Sequence, residues 1–132
     1  MKGYSAHHIF TPDEIKIWKM ATELVEGLPE NPELRCHELA RAVALYLHSE
    51  RPQTLVCDGK FGLAEHSWLV VTTPGRHVIL DVYTVAGLPM VQLIDAGSLA
   101  VRDARRYVEG TCRNDVNERA VRALLVSMSQ RK

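Results

Sequence analysis

Pro74-Gly75 constrains the fold of this chain more than any other feature. It separates two runs with strand character, Glu65 to Thr72 and Arg76 to Val85. Proline presets the backbone for a turn and glycine tolerates the conformations a tight turn needs, so the two runs predict an antiparallel hairpin. With the turn centred between Pro74 and Gly75, His66 falls opposite Tyr83 and Asp81 opposite Trp68. His66 and Asp81 then share one sheet face as diagonal neighbours, roughly 7–8 Å apart at the backbone and within reach of a His–carboxylate hydrogen bond. A register slip of one residue would send them to opposite faces.

Helices precede this hairpin. Thr11-Pro12-Asp13-Glu14 is a capping-box start with proline at the first helical position. Ile15, Trp18, Ala21, Val25 and Leu28 follow at helical spacing, and Gly27 with Pro29 ends the run. Asn31-Pro32-Glu33 predicts a second helix reaching about Ser49, with Leu39, Val43, Tyr46 and Leu47 as its apolar stripe. Cys36 lies in the first turn or so of that helix, which is expected to pack on the His66 face of the hairpin. After Pro52 the period changes: Thr54 to Cys57 reads as a short strand and Asp58 to Gly62 as a loop. Met90 to Ile94 predicts a further strand. Asp115 with Glu118 caps a last helix whose Val121, Leu124, Leu125 and Met128 face inward. Residues 95 to 113 carry no clear period. Helices, then strands, then a helix predict an α+β fold, a single domain over residues 1–132.

Bulk properties narrow the function. Sixteen basic residues balance sixteen acidic ones, so no global field favours nucleic acid. No apolar run approaches the ~18 residues of a membrane span. Met1 to Phe10 is polar and lacks the apolar region of a signal peptide. Three cysteines, Cys36, Cys57 and Cys112, argue against a disulfide scaffold and suit a reducing cytoplasm. A cytoplasmic protein with no membrane or nucleic-acid partner is expected.

The candidate chemistry starts from Cys36. A thiol attacks as thiolate, and the unpaired N–H groups at a helix start favour that charge. A base must share its proton, and a third group must orient the base. His66 and Asp81 supply both from the hairpin. His37 turns ~100° away from Cys36 on a helix and is read as a poor partner. Cys57 falls in an apolar strand and is read as core; Cys112 is read as an exposed or half-buried thiol. His7-His8 is read as a flexible arm, and His48 and His77 as surface residues. Trp18 is read as a core aromatic. Trp68, two residues from His66 on one strand, shares its face and is a candidate substrate contact or shield for the His–Asp pair. Arg102, Arg105 and Arg106 read as a solvated basic face.

Singly, each of these residues has a blander reading: a buried small cysteine, a satisfied histidine, an aspartate at a turn. Their order gives them meaning. Cys36-His-Glu-Leu-Ala, Leu55-Val-Cys-Asp-Gly59, His66-Ser-Trp68 and Asp81 resemble the transglutaminase-like core over roughly residues 32 to 85. That superfamily resembles papain in its catalytic core. The resemblance implies a helix-borne nucleophile Cys36, a strand-borne base His66 and an orienting Asp81 on the next strand. Ser67 stands where the family usually has alanine, and Val82 where proline is common. Gly59 matches a glycine often found before the histidine strand. No glutamine precedes Cys36, so its own backbone N–H is the natural first oxyanion donor and the second is unassigned.

The resulting expectation is thiol-dependent acyl transfer on an amide through a thioester, with a protein or peptide substrate. The enzyme would be a cysteine hydrolase or acyltransferase: peptidase, amidase, deamidase or transamidase. It would need no cofactor. The alternative is a non-catalytic protein- or peptide-binding module on the same fold. A metal site drawing on Cys36, His37, His66 and Asp81 is disfavoured because no close paired-ligand motif occurs.

Overall fold

The computed structural model describes residues 10–29, 34–48, 53–83, 91–95 and 107–130. It is α+β, with this order: α1 (Pro12–Glu26), α2 (Cys36–Leu47), β1 (Thr54–Phe61), β2 (Ala64–Thr73), β3 (Arg76–Asp81), β4 (Gln92–Asp95), β5 (Tyr107–Glu109) and α3 (Glu118–Ser129). The strands form one antiparallel sheet in the order β4-β3-β2-β1-β5. No described helix is long and apolar enough to cross a membrane.

Local signals explain most boundaries. The Thr11 hydroxyl accepts from the Glu14 N–H while the Glu14 carboxylate accepts from the Thr11 N–H, closing the capping box of α1. Gly75 adopts φ 88°, which only glycine takes without strain, and β2 and β3 pair from Thr73↔Arg76 to Leu69↔Leu80. That is the register anticipated from Pro74-Gly75. Asn117, not Asp115, caps α3, by accepting from the Ala120 N–H. Val121 and Met128 of that helix are buried, and Leu124 and Leu125 are half-buried.

Three expectations are corrected. The second helix begins at Cys36 with Arg35 as its cap, because Leu34 and Arg35 are not helical; Asn31 to Glu33 lie outside the described residues. Asp58 to Phe61 is strand, not loop, because it pairs on both sides, with β2 and with β5. The third strand ends at Asp81, with Val82 and Tyr83 bending away; Thr84 and Val85 lie outside the described residues. His7, His8, Arg102, Arg105 and Arg106 also lie outside them.

The core lies on one face of the sheet. Leu39, Val43 and Leu47 of α2 join Ile17 and Ala21 of α1 and Val121 of α3 over Leu69, Val71, Val78, Leu80 and Leu93. Burying an aliphatic side chain of this size stabilises by ~1.5–3 kcal/mol. The other face carries a smaller cluster, Trp68, Ile79 and Ile94, with Cys57, Val70 and Tyr107 against it. By alternation, His66 and Asp81 belong with this second set. The helices therefore cover the face opposite the one expected. Cys36 meets His66 at the end of the sheet, where the described β2–β3 pairing has stopped and α2 begins.

Candidate active site

Cys36 is the first residue of α2, and its cap contributes no side-chain hydrogen bond to the helix start. The first N–H groups of a helix have no intrahelical partner, and the dipole adds positive character there. Cys36 is 8% exposed. An ion cluster holds this end of the helix still. Arg35 Nε and Nη2 donate to the Glu38 carboxylate at 2.7 and 2.5 Å, and the Asn117 N–H donates to Glu38 Oε2 at 3.0 Å. The start of α3 is thus tied to the start of α2.

His66 and Asp81 are brought together as expected. His66 Nε2 lies 2.8 Å from Asp81 Oδ2, and the two side chains are each 2% exposed. Asp81 also accepts from the Tyr83 N–H on Oδ1 at 3.1 Å and from the Tyr107 hydroxyl on Oδ2 at 2.6 Å. Burial disfavours charge on His66. Hydrogen bonds to Asp81 and to Cys36, with the charges of both, outweigh it and push the imidazole up to about 9. Because Nε2 faces Asp81, Nδ1 is the ring nitrogen that Asp81 does not engage. His66 thus pairs directly with Asp81 and feels the nearby Cys36, while the hydrogen-bond contacts of the Cys36 sulfur itself run to His37.

Aromatic rings enclose the imidazole. Trp68 stacks against it at 6.1 Å between centroids, Tyr107 lies at 6.2 Å, and Phe61 meets it edge-on at 6.3 Å. Trp68 is only 3% exposed, which suits a shield over the His–Asp pair better than a direct substrate contact. Phe61 and Tyr107 carried no signal in the sequence. Tyr107 reaches the site because β5 pairs with β1 at Phe61↔Tyr107.

His37 departs from its expectation. Its Nδ1 and Nε2 lie 3.5 and 4.0 Å from Cys36 Sγ, and it is buried. Side chains in the first turn lean back past the helix start, where no preceding turn separates them, so two adjacent tips can converge there. Nδ1 is 2.7 Å from Ser67 Oγ. Ser67 donates to Asp58 Oδ1 at 2.6 Å, and Arg41 Nη2 and the Arg113 N–H donate to Asp58 Oδ2 at 2.5 and 3.1 Å. A serine two residues before Leu69, and so on the core face, was the available signal, since a buried polar group there needs a partner.

The remaining candidates are quieter. Trp18 is buried and donates its indole N–H to the Val91 carbonyl at 3.0 Å. Cys57 is half-buried rather than core, and Cys112 is exposed. His48 and His77 are exposed. Among the described residues, no group of three or more His, Cys, Asp or Glu side chains is placed to hold a metal ion. Comparison with protein-family models, with curated proteins and with solved structures yields no significant match.

Proposed function

We propose that this chain is a thiol-dependent acyl-transfer enzyme of the transglutaminase-like type, acting on an amide of a protein or peptide. The observation that carries the reading is the 2.8 Å His66–Asp81 contact, with the charged form of the same imidazole favoured by the nearby Cys36 at a helix start. A histidine held up to about 9 is an imidazolium at neutral pH, the partner a thiolate needs. In the reaction, Cys36 Sγ attacks the amide carbonyl carbon, and the Cys36 N–H donates to the developing oxyanion. His66 gives its proton to the leaving amine as the C–N bond breaks, leaving a thioester. His66 then takes a proton from water, or from an acceptor amine, whose attack releases the acyl group and restores the thiol. Asp81 holds the ring and stabilises its charged form throughout.

The rival reading, a non-catalytic protein- or peptide-binding module, draws on the 8% exposure of Cys36. One measurement separates them: iodoacetamide labelling of each cysteine against pH, read by mass spectrometry, in wild type and His66→Ala. The enzyme reading expects Cys36 alone to react rapidly below pH 7 and to lose that reactivity in the variant. An ordinary thiol profile at Cys36, or indifference to His66, sinks it. Cys36→Ala should then leave ligand binding intact if the module reading holds.

A further inference from the structure

Asp58, Ser67 and His37 form a buried series that ends on the Cys36 sulfur and takes no part in the His66–Asp81 pair. Its protons can be assigned. Asp58 sits below the usual carboxylate range: burial opposes this, but Arg41, Ser67 and the Arg113 N–H all donate to it. An ionised carboxylate only accepts, so the Ser67 hydroxyl proton points to Asp58. Ser67 Oγ must then accept, and His37 Nδ1 must carry the hydrogen that it donates. His37 itself is held below its usual range, first by burial and then by the Arg113 and Arg35 charges, with Glu38 and Asp115 opposing. It is a neutral imidazole in a single tautomer.

The sulfur lies 3.5 Å from Nδ1 and 4.0 Å from Nε2, so it packs on the imidazole and lies nearer Nδ1. The Nδ1–H is directed at Ser67, which leaves His37 poorly aligned to take the thiol proton. We propose that His37 is a positioning residue for Cys36, pinned by Ser67, Asp58 and Arg41, which holds the sulfur toward His66. The inference rests on the enzyme reading above. It divides the labour between two histidines, one charged and exchanging a proton, the other neutral and fixed.

The groups facing this pair come from every neighbouring element. Arg35, Glu38 and Arg41 belong to α2, Asp58 to β1, Ser67 and His66 to β2, and Asp81 to β3, while Arg113 and Asp115 follow β5. The test is the pH profile of Cys36 alkylation in the full chain for His37→Leu, His37→Asn and Ser67→Ala. His37→Leu removes the N–H that donates to Ser67, and with it the pin. Asparagine places an amide N–H close to where Nδ1 stands and should restore it. His37→Leu is expected to raise the Cys36 midpoint by about one pH unit, with His37→Asn near wild type and Ser67→Ala in between. If His37→Leu does not fold, Ser67→Ala carries the comparison alone and must still shift the midpoint upward. A wild-type midpoint in folded His37→Leu or, failing that, in Ser67→Ala overturns the proposal. So does His37→Asn shifting as far as His37→Leu, which would mean that ring volume alone matters. These outcomes remain distinct from failure of the enzyme reading, which shows in wild type and His66→Ala before any His37 variant is made.

Discussion

Two buried acid–base clusters sit at different ends of β3 and do different things. At the start of the strand, Glu14 of α1 accepts from Arg76 Nε at 3.0 Å and from the Thr73 hydroxyl at 2.8 Å. The hydrogen bond from Arg76 is the chief cause holding the Glu14 carboxyl at about 2. At the end of the strand, Asp81 accepts from His66 and Tyr107. Both carboxylates are sequestered and fully engaged. The partner makes the difference. Arginine never yields its proton in a protein, so Glu14–Arg76 can only fasten α1 to the hairpin. Histidine yields its proton within a reachable range, and here it stands beside a thiol. Burial and pairing do not mark a site by themselves; an exchangeable proton next to a nucleophile does.

The comparison breaks if the two clusters respond alike to mutation. Glu14→Ala should have the largest effect, a loss of about 3 kcal/mol in unfolding free energy by urea titration. That is the low end for breaking a buried pair, since the Arg76 side chain keeps 26% exposure. The Cys36 alkylation profile should not move. Asp81→Asn should do the reverse. It preserves shape and an acceptor, so stability should change by about 1 kcal/mol. Cys36 alkylation at pH 6 should fall about tenfold, because His66 no longer holds its proton and the thiolate loses its counter-charge; the greater intrinsic nucleophilicity of a high-pKa thiolate limits the drop. A loss of Cys36 reactivity in Glu14→Ala would erase the distinction between the two ends.

These two ends also differ in how legible they were. The Glu14 capping box and the Pro74-Gly75 turn are local instructions, settled by residues three or four apart. The His66–Asp81 register followed from the turn by counting. What stayed hidden depends on contacts distant in sequence. Asp58-Gly59-Lys60 has turn chemistry and reads as a loop, yet β2 and β5 make it strand from both sides. Gly59 is needed there because a Cβ would stand 2.1 Å from the Val108 carbonyl oxygen, so close is the approach of β5. Tyr107, on a three-residue strand, had no pattern to announce it. His37 was misjudged because angular spacing ignores how first-turn side chains lean past the helix start, where adjacent tips can meet.

Stability against pH gives a second way to separate the clusters, limited to at most ~1.4 kcal/mol per pH unit for one proton. His66 is raised from 6.5 to about 9, so its contribution is fully present below 6.5 and is lost as pH rises through 9. Glu14 is lowered from 4.5 to about 2, so its contribution is present above 4.5 and is lost as pH falls through 2. Thermal or urea denaturation across pH should therefore show an alkaline decline that flattens in His66→Gln and an acid decline that flattens in Glu14→Gln. Each variant should leave the opposite arm unchanged. An alkaline arm that persists in His66→Gln would assign it to another group and remove the evidence for a charged imidazole.

The smallest effect concerns where the site ends. The Tyr107 hydroxyl donates to Asp81 Oδ2, the same oxygen that faces His66 Nε2. Two donors on one oxygen share its charge, so the phenol weakens the hold of Asp81 on the imidazolium while helping to fix the carboxylate in place. Tyr107→Phe keeps the ring packed on Trp68 and Phe61 and removes only the hydroxyl. Stability should fall by about 1 kcal/mol, the usual net worth of one hydrogen bond. The Cys36 alkylation midpoint should shift by less than about half a unit and downward, because the freed charge on Asp81 raises His66 further and the imidazolium then favours the thiolate more. A shift upward, or one as large as in Asp81→Asn, would mean that the hydroxyl orients Asp81 rather than merely damping it. In that case β5 belongs to the candidate site, and the second of the two clusters extends to the far edge of the sheet.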